Sequence, residues 1–126
     1  MRKKMYEDCN NNAEFLKGLF HQMQALSDSE LNWRISSFDF IPVDKGDCIG
    51  GVPDIEMEQL YNFQKRLSDE HTIIIIHNDF MGLLKNVKTI YEGRLEVIIK
   101  GKPLKIKIFD GDIIEIDGEM EAELKF

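Results

Sequence analysis

Leu95-Glu96-Val97-Ile98-Ile99-Lys100-Gly101-Lys102-Pro103-Leu104-Lys105-Ile106-Lys107-Ile108-Phe109-Asp110-Gly111-Asp112-Ile113-Ile114-Glu115-Ile116-Asp117 decides the fold. Aliphatic residues alternate with charged ones, and glycine-bearing turn signals cut the run at 100–103, 110–112 and 117–118. Alternation with a period of two sends successive side chains to opposite faces of a strand. Such runs, separated by short glycine turns, read as an antiparallel meander.

Turn length then sets the register. With Gly101-Lys102 as a two-residue turn, Ile99 opposes Leu104, Val97 opposes Ile106 and Leu95 opposes Ile108. With Asp110-Gly111-Asp112 as a three-residue loop and Gly111 left-handed, Ile108 opposes Ile114 and Ile106 opposes Ile116. On the other face Lys107 meets Glu115, and Lys105 meets Asp117. A two-residue loop would set Ile106 against Glu115, so the pattern selects three. Opposite charges facing each other contribute about 0.2–1 kcal/mol, and this register assigns both lysines to internal pairs.

A third loop at Asp117-Gly118-Glu119 carries the meander into a last strand. Ile116 then opposes Met120, and Glu119, Glu121 and Glu123 line the outer face. Upstream, a turn at Glu92-Gly93 adds Val87–Tyr91 as a further strand. The resulting sheet has one apolar and one charged face, and the apolar face needs a cover.

Two segments supply it. Phe15, Leu16, Leu19, Phe20, Met23 and Leu26 fall at helical spacing over 13–27, where Asn10, Asn11 or Asn12 can cap the start. Ile55, Leu60, Phe63 and Leu67 stripe a second helix over 54–69, opened by Pro53 and by Asp54, Glu56 and Glu58 at the positive end of its dipole. The expected fold class is α+β: an antiparallel meander sheet in the C-terminal half, with one or two N-terminal helices packed on its apolar face. Residues 1–12 read as a mobile arm and 13–126 as a single domain.

The intervening segments are read locally. Ser27 and Glu30 fit a capping box that opens a helical turn through Leu31 and Trp33. Ile35 to Val43 is extended, ending near Pro42, and 44–51 is a loop by composition. Thr72–His77, with four consecutive isoleucines, predicts a central strand covered on both faces. Phe80, Leu83 and Leu84 predict a short helix capped by Asn78 or Asp79.

Composition excludes several function classes. At 126 residues, 43% hydrophobic and 31% charged, the chain suits one globular domain. The longest apolar run, Ile73–Ile76, is far too short to span a bilayer. The basic start, Arg2-Lys3-Lys4, is followed by no apolar segment, so secretion is not expected. Cys9 and Cys48 show no pairing pattern, which suits a cytoplasmic location with reduced thiols. A net charge of −7 argues against general nucleic-acid binding and permits a basic protein partner.

The chemical motifs are sparse. His71 and His77 flank the isoleucine run and Asp79 follows, but none forms a His-x-His or His-x-x-x-His pair. Cys48 sits in a glycine-bearing loop without a recognisable base or oxyanion-hole motif beside it, so an incidental cysteine is expected. The 46–51 segment lacks the Gly-Lys-Ser/Thr ending of a phosphate loop. Asp110 and Asp112 are explained by their turn rather than by calcium. No metal and no cofactor is expected.

Two carboxylate clusters remain: Glu119, Glu121 and Glu123, and Asp54, Glu56 and Glu58. Each has a local explanation. Charges on an edge strand discourage pairing with another chain, and acids favour a helix start. Each also suits docking of a basic partner. The first functional expectation is therefore a small acidic protein-binding domain, an immunity or inhibitor protein against a basic nuclease-type toxin being one version. The alternatives are a small enzyme using His77, Asp79 and Cys48, and a module whose sheet edge pairs with itself.

Overall fold

The computed structural model describes residues 2–7, 10–43 and 55–125. The order of elements is β1 (Arg2–Met5), α1 (Ala13–Leu26), β2 (Asn32–Pro42), α2 (Ile55–Glu70), β3 (Ile73–Ile76), α3 (His77–Leu84), β4 (Val87–Ile99), β5 (Lys102–Phe109), β6 (Ile113–Gly118) and a 3-10 helix at Glu119–Glu123. The strands form one sheet in the order β1-β6-β5-β4-β2-β3, with every pairing antiparallel. The helices pack on one face of it, so the fold is α+β. Cys9, Cys48, Asp54 and the 44–51 loop lie outside the described residues, as do the side chains of Glu56 and Glu121.

The β5–β6 hairpin has the register that charge and apolar pattern dictate. Phe109 pairs with Ile113, Ile108 with Ile114, Lys107 with Glu115, Ile106 with Ile116 and Lys105 with Asp117. Asp110 and Gly111 both take positive φ in the loop, at 54° and 74°. The β4–β5 hairpin is shifted by two residues from the expected register: Ile99 pairs with Lys102, Val97 with Leu104 and Leu95 with Ile106. The turn is Lys100-Gly101, both at positive φ (52° and 78°), the mirror-image geometry that matches strand twist. A shift of two leaves every side chain on its own face, so the same six aliphatics are buried.

The core joins these to α1 and α2. Leu16, Leu19, Phe20 and Met23 from α1 and Leu60, Phe63 and Leu67 from α2 meet Trp33, Ile35 and Phe38 of β2, and Phe80 and Leu84 of α3. Phe20, Trp33, Phe38 and Phe80 form an aromatic cluster with ring centroids 4.8 to 6.0 Å apart. Asn12, fully buried at the start of α1, does not cap that helix with its side chain. Its Nδ2 donates to the carbonyls of Ile90 and Gly111, both at 2.8 Å, and its Oδ1 accepts from the Ile90 N–H at 2.7 Å. One amide thus fastens α1 to β4 and to the β5–β6 loop.

Five local expectations are corrected. Arg2–Met5, read as part of an arm, is β1, hydrogen-bonded along β6. There is no helical turn at Ser27–Trp33: Ser27 ends α1, Trp33 is the second residue of β2, and Glu30 instead accepts the Asn78 N–H at the start of α3 (3.0 Å). Glu92-Gly93 is not a turn, because β4 runs unbroken through it. Gly93 packs closely: a Cβ there would lie 3.3 Å from Ile108 Cδ1 and 3.4 Å from Ile90 Cγ2. β3 is an edge strand rather than a central one, with Ile74 68% and Ile76 42% exposed. Helices cover a single face, so the second row of isoleucines faces outward. The fifth correction, the last strand, bears on the candidate site.

Candidate functional site

The carboxylates of Glu119 and Glu123 do not lie on an edge strand. β6 ends at Gly118, where φ is 154° and a Cβ would lie 2.5 Å from the Pro103 carbonyl and 2.9 Å from Leu104 Cδ1. This glycine permits close approach to β5, and the reversal expected from Asp117-Gly118-Glu119 does not form. β1 occupies the edge of β6 that a returning strand would have used. The chain instead coils into the 3-10 helix, burying Leu124 and partly burying Met120 against the core. Gln22 holds the end in place: its Nε2 donates to the Lys125 carbonyl and its Oε1 accepts the Lys125 N–H, both at 2.7 Å.

The described carboxylates of the two clusters sit apart. Glu119 pairs with Lys102 at 3.0 Å, with both side chains mostly in water, so the pair adds little stability. Glu123 is exposed, as is Glu58 on α2. The 3-10 helix packs on β5 and β6, and α2 packs on β2 and β3, with β4 between them. Glu58 therefore lies on a different patch from Glu119 and Glu123.

The face of the sheet opposite the helices is left open by the described residues. One row across it runs Ile74, Arg34, Glu96, Lys105, Asp117, and the next runs Ser37, Arg94, Lys107, Glu115, Lys3. Glu115 makes its ion pair with Lys3 of β1, at 3.7 Å. Lys105 and Lys107, expected to be occupied by Asp117 and Glu115, are correctly opposite them yet form no ion pair within 4 Å among the described residues. Arg34 and Arg94 are likewise exposed and unpaired there. Exposed Ile74, Ile76 and Ile98 border this belt at the β3 side.

The histidines and Asp79 do not assemble as the enzyme reading requires. His77 is 2% exposed and begins α3, its N–H donating to the Leu31 carbonyl at 2.9 Å. Asp79 is exposed, in a groove between α2 and α3. Two residues apart on a helix, the side chains diverge. His71 is exposed and terminates α2 with φ 65°, donating its N–H to the Leu67 carbonyl at 2.8 Å.

His77 belongs to a chain of bonds that the sequence did not reveal. Trp33 Nε1 donates to His77 Nδ1 at 3.0 Å, and His77 Nε2 lies 3.1 Å from His21 Nδ1. Indole N–H is only a donor, so His77 Nδ1 must accept and the ring proton belongs on Nε2, directed at His21. A second proton on His77 would oppose the Trp33 N–H. Burial, and next the neighbouring His21, hold the His77 pKa below 6.5, while Glu30 acts in the opposite direction. His21 is exposed, so the chain runs from the aromatic core to water.

No helix among the described residues is long and apolar enough to cross a membrane. Comparison with protein-family models, with curated proteins and with solved structures gives no match.

Proposed function

We propose that the chain is a binding protein that docks a basic protein through its carboxylate-bearing surface, as an immunity or inhibitor protein docks a nuclease-type toxin. The observation that carries this reading is where the charge lies. The open sheet face bears five cations (Lys3, Arg34, Arg94, Lys105, Lys107) and five carboxylates (Asp39, Glu92, Glu96, Glu115, Asp117), a sum of zero. Off that face the other described side chains number twelve carboxylates and nine cations, a sum of −3. Among the described residues the acidic excess therefore sits off the open face and includes Glu58, Glu119 and Glu123. Such a field steers a cationic partner and raises its association rate. The reading goes with a cytoplasmic location, where Cys9 and Cys48 stay reduced.

The test is a calorimetric titration against a basic nuclease encoded beside it in the host genome, at ~50 mM and ~500 mM salt. The triple variant Glu58→Lys, Glu119→Lys, Glu123→Lys is expected to weaken binding at least ~10-fold, with most of the loss at low salt. Binding unchanged by all three reversals overturns the proposal.

A further inference from the structure

The open face holds a second feature, of opposite sign and independent of the basic-partner reading. Arg34, Arg94, Lys105 and Lys107 line one shallow hollow on it together with Ser36, and Glu96 is the one carboxylate in that lining among the described residues. All four cations are exposed and unpaired within 4 Å among the described residues, so their charge is not spent inside the sheet. Arg34 also borders an adjoining hollow lined by Asn32, Ile74 and Ile98. Ile74 is 68% and Ile98 63% exposed. Aliphatics so exposed, beside a cluster of cations, are a pairing found where proteins meet proteins.

We propose that this face binds an acidic protein segment that sets carboxylates against Arg34, Arg94, Lys105 and Lys107 and an apolar side chain against Ile74 and Ile98. The guanidinium forks of Arg34 and Arg94 match carboxylate geometry two bonds at a time. The other acids facing the quartet limit it rather than cancel it. Glu115 is engaged by Lys3, Asp117 lies beyond Lys105, and Asp39 and Glu92 face each other one row further along. A nucleic acid is the poorer occupant. Its dense phosphate charge meets a chain of net −7, and aliphatic isoleucines offer its bases no stacking surface. A second copy laid face to face would set cation quartet against cation quartet.

The experiment uses the whole chain and a fluorescein-labelled peptide of alternating Glu and Leu, read by anisotropy, beside an all-Glu peptide of equal length and a single-stranded oligonucleotide. The Glu-Leu peptide is expected to bind, and to lose at least ~10-fold in affinity with Arg34→Glu plus Lys107→Glu, and again with Ile74→Ser. Thermal unfolding of each variant shows that the fold is kept. Where the double reversal unfolds the chain, Arg94→Gln and Lys105→Gln replace it, with a loss of at least ~3-fold expected. No binding of the Glu-Leu peptide overturns the proposal. So does binding that the variants leave unchanged, equal binding of the all-Glu peptide, or tighter binding of the oligonucleotide.

Discussion

The two faces of one sheet differ in what they ask of a side chain. On the covered face Leu95, Val97, Leu104, Ile106, Ile108, Ile114 and Ile116 are each 3% exposed or less, and each is packed against helices or neighbouring strands. On the open face, residues one position away on the same strands stand in water, and their charges remain mostly unpaired. A strand here carries packed aliphatics on its even positions and solvated charges on its odd ones, or the reverse, and the proposed binding rests on the second set. Stability and binding are thus separable by mutations one residue apart.

The sharpest test is a neighbouring pair. Ile106→Ala, which opens a cavity in the covered face, is expected to cost about 2–5 kcal/mol in urea unfolding, and Lys105→Ala to stay within about 0.5 kcal/mol. Comparable losses would break the distinction between the faces. Next comes Asn12→Ala, which leaves the Ile90 N–H and the Ile90 and Gly111 carbonyls without their side-chain partner. A loss of about 3 kcal/mol is expected by the same measurement. Gly118→Ala follows at about 2 kcal/mol, since a methyl there meets the β5 backbone. A Gly118 variant of unchanged midpoint would show that the close approach relaxes freely.

A smaller effect is set by pH. His77 in the folded protein takes up its proton at lower pH than the unfolded ring, whose pKa is 6.5. The unfolded state therefore binds more protons as pH falls below that value. The contribution of His77 is full above about pH 6.5 and is lost progressively below it. Urea midpoints measured from pH 7.5 downward should fall on the acid side for the wild type, with a shallower slope for His77→Gln; equal slopes would remove the role given to His77. Smallest of all, Ile74→Thr on the open face should change stability by no more than about 0.5 kcal/mol, because that side chain is already in water.

What was legible in the sequence follows the same division. The β5–β6 register could be read because a slip of one residue there puts Ile106 against a glutamate. The β4–β5 register could not, because a slip of two returns each side chain to its own face and costs the pattern nothing. α1 and α2 were written in their apolar stripes. β1 was not: Arg2-Lys3-Lys4-Met5 carries no strand signal, and β6 imposes its conformation through tertiary pairing. That same pairing denied Glu119–Glu123 a strand. Gly93 and Gly118 look like turn residues in sequence, yet both serve close packing, a difference that only the neighbouring strand decides. The contacts of His77 with Trp33 and with His21 join three elements, and periodicity carries no trace of them. The Lys105 and Lys107 pairings were right in register and wrong in consequence, because β1 supplied Glu115 with a different cation.

The three bonds of Asn12 have a bearing on how the chain is made. Its partners lie 78 and 99 residues downstream, and the edge that β1 joins is completed only at Ile116. A ribosome releases the N-terminus first, at ~5–20 residues per second. Strand β1 therefore waits several seconds for the hairpin that will hold it. During that interval α1 can dock on α3 and β4, but Asn12 lacks its bond to Gly111. Within this fold, β1 is made well before the strand it pairs with.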